Sequence, residues 1–185
     1  MRPLVITQNV TADGAIEMLD EWFDPLDDPP DMHEIMDRDS ARSDAILLGR
    51  KTFEDFRGFW PQQSADTTGV TDELNSLDKY VVSTTMTDPD WLNSTIIPTD
   101  PVAAVRELKA REGGEIQLTG SITLAHMLIS AGLVDEYCLW TYPYVQGRGR
   151  RLFPAGHREQ LSLVEHHAFD SDVTYTRWAS RKDRP

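Results

Sequence analysis

Apolar and polar positions follow two distinct periods along this chain. Eight short runs are dense in β-branched and aromatic residues and predict strands: 4–10 (LVITQNV), 45–49 (AILLG), 79–85 (KYVVSTT), 94–98 (STIIP), 115–120 (EIQLTG), 135–145 (DEYCLWTYPYV), 161–169 (LSLVEHHAF) and 173–180 (VTYTRWAS). Between most of them lie segments with the three-to-four-residue spacing of an amphipathic helix, at 31–43, 51–57, 70–77, 101–112 and 121–131. The fourth begins at Asp100, an N-cap residue, followed by Pro101 at the first helical position, and Val102, Val105 and Leu108 line one face. The fifth opens at Ser121, carries Leu124, Met127, Leu128 and Ala131, and stops at Gly132.

Strand and helix alternate through most of the sequence, which predicts an α/β fold: a mostly parallel central sheet flanked by helices. The last two strands are joined by FDSD (169–172), a turn sequence that predicts a C-terminal antiparallel hairpin. EWFDPLDDPPDMHE (21–34) breaks the alternation. It is acidic, and Pro25, Pro29 and Pro30 exclude a regular helix, so it reads as a loop or lid.

With 185 residues, one domain spanning 1–185 is expected. The balance of 31 acidic against 18 basic residues, a net charge of -13, disfavours nucleic acid or an anionic membrane as a partner, because the mean field repels phosphate. A phosphate-bearing ligand must then be held by a local cluster. The single cysteine, Cys138, excludes an internal disulfide and any multi-cysteine metal site, and reads as a buried, inert thiol. His166 and His167 are adjacent in a strand, face opposite sides and cannot share one metal, so no metal site is expected. The first four apolar positions are too few for a signal sequence, and no apolar run approaches a membrane span; a soluble, cytoplasmic protein is expected.

Two strand-to-helix junctions carry the chemistry. Gly49-Arg50-Lys51-Thr52 follows the second strand, and Thr119-Gly120-Ser121 follows the fifth. Ligands of open α/β sheets bind at the carboxyl ends of strands, where helix amides and close backbone approach accommodate anions. Each glycine is equally compatible with a plain tight turn, and Arg50 and Lys51 with a solvated surface.

In order, ILLGRKTFEDF, KYVVSTT, IQLTGSITLAHMLISAGLVDEY and PYVQGRGRRLF resemble the reductase domain at the C-terminus of bacterial bifunctional deaminase-reductases of riboflavin biosynthesis, a family that shares the dihydrofolate reductase fold. The resemblance spans about residues 2–180. It implies that Gly49, Arg50, Lys51 and Thr52, with Ser83 and Thr84, grip the phosphates of NADPH, including its ribose 2′-phosphate. It places Thr119, Gly120 and Ser121 against the pyrophosphate and nicotinamide; dihydrofolate reductases carry a glycine-rich turn with a cis peptide there, and this chain keeps one glycine. TADG (11–14) resembles the family's turn beside the nicotinamide, which makes Asp13 the first candidate for organising the proton, against an ordinary turn. The acid that would bind a pterin ring falls in the proline-rich stretch, where Asp27, Asp28, Asp31 and Glu34 compete. Arg148, Arg150 and Arg151 suit a substrate phosphate, the cofactor cleft or a solvated loop alike. Trp22 and Trp60 are candidates to stack on a heterocycle.

The zinc deaminase signature of the bifunctional enzymes is missing from the sequence, so a stand-alone NADPH-dependent reductase of a small heterocycle, pterin-like or ribotide-like, is expected. The competing reading is a non-catalytic, dimerising nucleotide-binding module. Because 135–145 is apolar on both faces, a homodimer using a sheet face or edge near that strand is expected.

Overall fold

The computed structural model describes residues 1–27 and 29–181. Eight strands, β1 (Leu4–Thr11), β2 (Ser43–Gly49), β3 (Asp78–Val82), β4 (Ser94–Ile97), β5 (Glu115–Leu118), β6 (Glu136–Tyr142), β7 (Leu161–Ala168) and β8 (Thr174–Ser180), form one sheet in the order β4-β3-β2-β5-β1-β6-β8-β7. The neighbours from β4 to β6 pair in parallel, and β8 runs antiparallel to both β6 and β7. The FDSD turn closes as expected, the Asp172 amide donating to the Phe169 carbonyl.

The helices are α1 (His33–Ser40), α2 (Arg50–Phe59), α3 (Val70–Ser76), α4 (Pro101–Ala110) and α5 (Ile122–Ser130). The α4 cap is the one its sequence predicts: Asp100 accepts from the Ala103 amide at 3.0 Å. None of the described helices is long and apolar enough to cross a membrane.

Strand alternation sorts the core into two faces. Leu4 and Ile6 of β1, Ala45 and Leu47 of β2, and Ile116 and Leu118 of β5 pack with Val105, Leu108, Leu124, Leu128 and Ile129 of α4 and α5. On the opposite face the core splits. Val5, Cys138, Trp140 and Tyr175 pack with Met32 and Ile35 at α1, whereas Ile46, Leu48 and Val81 pack with Phe53 of α2 and Leu74 of α3. Thr7, Asn9 and Gln117 stand on the sheet between these two clusters, and polar positions there leave the gap that becomes a cavity.

The chain begins in the sheet's middle with β1, lays β2, β3 and β4 outward to one side, then returns to insert β5 between β2 and β1. The crossover direction reverses here, which is where open α/β sheets bind ligands. β6, near which a dimer through a sheet face or edge is expected, is hydrogen-bonded on both sides by β1 and β8; among the described residues the outer strands are β4 and β7.

Candidate functional site

Because β5 lies beside β2, the two junctions singled out in the sequence meet. The Gly49 amide donates to Ser121 Oγ at 2.8 Å, and the Ser121 amide donates to Thr52 Oγ1 at 3.0 Å. Each hydroxyl oxygen is thus used as an acceptor and still carries a proton that it can donate. Neither Gly49 nor Ser121 makes a side-chain cap to its helix, so the first amides of α2 and α5 lie side by side without such partners at the carboxyl edge. Paired uncapped helix N-termini with two hydroxyls between them make a cradle for an anion.

Gly120 is required by this packing. Its φ is +55°, and an added Cβ would stand 3.1 Å from Thr52 Cγ2, tighter than side chains normally approach. Its amide donates to Gln8 Oε1 at 3.1 Å, and Gln8 also donates to the Ile16 carbonyl at 3.1 Å. Gln8, buried near the end of β1, is a hub that motif reading missed; its signal is a polar residue within a strand run. The peptide bonds described are all trans, including Thr119–Gly120.

Gly49 pairs in register with Val82, so Arg50 and Ser83 follow at the ends of neighbouring strands. Arg50 is half exposed and pairs with Glu54 one helical turn on, at 2.8 Å; Lys51 and Thr84 are exposed. Buried Ser83 turns the chain, its hydroxyl accepting from the Met86 amide at 3.0 Å.

Asp13, the candidate for organising the proton, is tied into its own turn. Its carboxylate accepts from the Thr11 hydroxyl at 2.6 Å and from the Gln146 and Gly147 amides at 3.2 and 2.8 Å. The Thr11 hydrogen bond, then the two amides, hold its pKa down to about 2, so at neutral pH it has no proton to give. It clasps the β1 turn to the segment after β6. The arginines there serve the same clasp: Arg148 pairs with Asp20, Arg150 with Glu17 at 2.6 Å, and Arg151 donates to the Asp13 carbonyl.

Next to the cradle lies a cavity of about 540 Å³, lined in part by Thr119 and Gly120, the two residues that lead into Ser121. The proline-rich segment forms part of its wall through Phe23, Pro25, Asp27 and Pro29. Phe23 packs edge-on against Tyr142, and Trp22 stacks on Tyr144 with ring centroids 4.4 Å apart. Trp22 is therefore spent on holding this segment, while Trp60 lines the cavity, as does Trp140.

Of the four acids proposed for a ring, Asp27 lines the cavity. Asp31 accepts from the Ser171 amide at 3.3 Å in the hairpin turn, Glu34 is exposed, and Asp28 lies outside the described residues. Sequence reasoning missed Glu73, which also lines the cavity. Burial pushes its carboxyl up from the usual range, against the opposing hydrogen bonds of Ser40 and Gln117. Its sequence signal is an acid on an apolar helical stripe: Val70, Leu74 and Leu77 occupy the other i, i+4, i+7 positions. Cys138 is buried, and that burial pushes its thiol up to about 12, which makes it inert as expected.

An open, largely parallel sheet with its cleft at the strand-order reversal defines a dihydrofolate reductase-like α/β domain. The chain belongs to the RibD C-terminal domain family, which matches residues 2–175. It is similar to the uncharacterized protein YyaP of Bacillus subtilis (strain 168), at 33% identity over 178 residues covering 93% of this chain and 92% of that one. Among solved structures, a Shewanella sp. PV-4 protein superimposes with a TM-score of 0.76 at 16% identity, covering 97% of this chain and 99% of that one. A pyrimidine reductase-like protein of Corynebacterium diphtheriae gives 0.70 at 15% identity, covering 98% and 93%. The fold is thus of the riboflavin-biosynthesis reductase type.

Proposed function

We propose that this chain is an NADPH-dependent reductase that delivers a hydride to a C=N or C=O group of a small heterocycle. The observation that carries this reading is the shared wall: Gly120 packs against Thr52 of the anion cradle and also lines the cavity, so a cofactor held by one would abut a substrate held by the other. In this reading Arg50 and Lys51, with Ser83 and Thr84, hold the 2′-phosphate, since charge-assisted contacts to phosphate are the stronger kind. Thr52, Ser121 and the first amides of α2 and α5 receive the pyrophosphate. When bound, the reduced nicotinamide supplies the hydride. The protein's own task is orientation: the cavity wall fixes the ring and keeps water away from the acceptor carbon. Asp13 serves by clasping the turn beside the nicotinamide.

The reading is tested by titrating NADPH and following the loss of its reduced-nicotinamide absorbance with a panel of pterins, aminopyrimidines and carbonyls. Binding with turnover supports it. Binding without turnover on any acceptor would favour the non-catalytic module. A homodimer and a cytoplasmic location remain part of the proposal, the first now assigned to the outer strand β7, where Leu163 and Val164 are exposed, and the second consistent with a free buried thiol. Light scattering that returns the mass of one chain would reject the dimer.

A further inference from the structure

The cavity beside the cradle discriminates by charge. Among the described residues that line it are five carboxylates, Asp24, Asp27, Asp39, Asp55 and Glu73, and no lysine, arginine or histidine. Asp39 is neutralised from behind: Arg38 donates to it at 2.9 Å and the Tyr175 hydroxyl at 2.5 Å. The others leave a negative field inside a cleft whose apolar walls weaken screening. A ligand phosphate placed here would meet carboxylates with no cation to answer it. The three arginines that could have supplied one, Arg148, Arg150 and Arg151, are committed to Asp20, Glu17 and the Asp13 carbonyl, and none lines the cavity.

The rest of the lining suits a flat ring. Phe23, Phe56, Phe59, Trp60 and Trp140 present aromatic surface, and Met32 and Met36 add adaptable thioethers. Into this apolar space α3 projects Glu73, between Val70 and Leu74, which line the cavity with it. Ser40 of α1 and Gln117 of β5 line the cavity together with Glu73, so polar groups of three separate elements converge beside one acid. A carboxyl placed in that way accepts two parallel N–H donors or shares a proton with a ring nitrogen.

We infer that this cavity takes an unphosphorylated planar heterocycle, neutral or cationic, whose N–H edge is received by Glu73 with Ser40 and Gln117 orienting the carboxyl. The inference rests on the reductase reading for the identity of the site as the substrate site. It separates this chain from an enzyme that reduces a phosphoribosyl-bearing pyrimidine, although the domain belongs to a family of riboflavin-biosynthesis type. Glu73 is a residue that touches substrate in this account, and Ser40 and Gln117 are positioning residues.

The test is calorimetric titration of the intact chain, with and without NADPH, against three probes: 2,4-diaminopyrimidine, 5,6-diaminouracil and 5-amino-6-(5-phosphoribosylamino)uracil. The two unphosphorylated rings are expected to bind at least ~10-fold more tightly than the phosphorylated one. Glu73→Gln is expected to weaken 2,4-diaminopyrimidine ~10-fold or more while leaving the NADPH affinity unchanged. Ser40→Ala, which keeps the carboxyl, is expected to lower the affinity by a smaller factor of ~3 and to change its pH profile, which a purely structural role would leave alone. Equal or tighter binding of the phosphorylated probe overturns the inference. So does an unchanged diaminopyrimidine affinity in a folded Glu73→Gln, or failure of both unphosphorylated rings to bind. If NADPH does not bind while the rings behave as expected, the reductase reading falls and the cavity assignment stands.

Discussion

The two sides of the Thr119–Gly120 turn differ in what they ask of a ligand. Toward α2 and α5 the surface is made of backbone amides, the hydroxyls of Thr52 and Ser121, and the cations Arg50 and Lys51. Toward α1 and α3 it is made of aromatic rings and carboxylates. A chain with a net charge of -13 can therefore admit an anion on one side while its neighbouring cavity repels one. Local dipoles and a pair of cations outweigh the global field over a few ångströms, whereas the average charge acts at the longer range of encounter. Net charge alone thus said little about which ligand either side would accept.

Three experiments break or sharpen that contrast. The largest effect is expected from Gly120→Val, which strikes the wall common to both sides. A β-branched residue at φ +55° is strained, and its Cβ would press on Thr52 at 3.1 Å. Loss of about 1–3 kcal/mol of stability is expected from the backbone alone. Cofactor affinity should fall by ~100-fold or more as Thr52 and Ser121 are displaced, and ring binding should weaken with it. Isothermal calorimetry on a variant that still unfolds cooperatively checks this; loss of cofactor binding with ring binding intact would show that the two sides do not share this wall.

Arg50→Ala acts on one side. NADPH affinity should drop by more than ~10-fold, equivalent to about 1.5–3 kcal/mol for a charge-assisted contact to phosphate, while NADH and the heterocyclic probes scarcely change. Equal wild-type affinities for NADPH and NADH would remove the 2′-phosphate site.

The smallest effect is expected at Asp13, whose carboxylate faces neither side directly and holds the turn to Gln146 and Gly147. Its folded pKa, about 2, lies below the unfolded value near 4, so its contribution is complete above pH ~4 and is lost as pH falls through about 2. Asp13→Asn should therefore flatten the acid limb of a stability–pH curve between those values and leave the neutral-pH fold intact. A fall in kcat of ~100-fold with an unchanged NADPH dissociation constant would restore a part for Asp13 in proton handling.

Much of this architecture was legible because the signals are local. Strand and helix periods depend on residues two to four apart, and the eight strands and five helices predicted from them are all present, with ends shifted by a few residues. The Asp100 cap is contained in four consecutive residues, and the FDSD turn in another four. The GRKT and TGS junctions were visible because glycine beside hydroxyls at the start of a helix marks an anion-binding end, wherever the strand before it goes.

Contacts between distant segments were not legible. Gly49 and Ser121 are 72 residues apart, and only the insertion of β5 between β2 and β1 turns two separate junctions into one cradle. The arginines of 148–151 could have met a ligand or solvent; their pairing with Asp20 and Glu17, more than a hundred residues earlier, is decided by how the segment after β6 docks on the one after β1. Glu73 reads in sequence as one more acid in an acidic protein. It becomes a cavity residue because α3 packs its apolar stripe on the sheet and Ser40 and Gln117 arrive from elements far away in the chain. Periods and caps are written in neighbouring residues, while strand order, and hence which chemistry faces which, comes from the global choice of how apolar faces are buried.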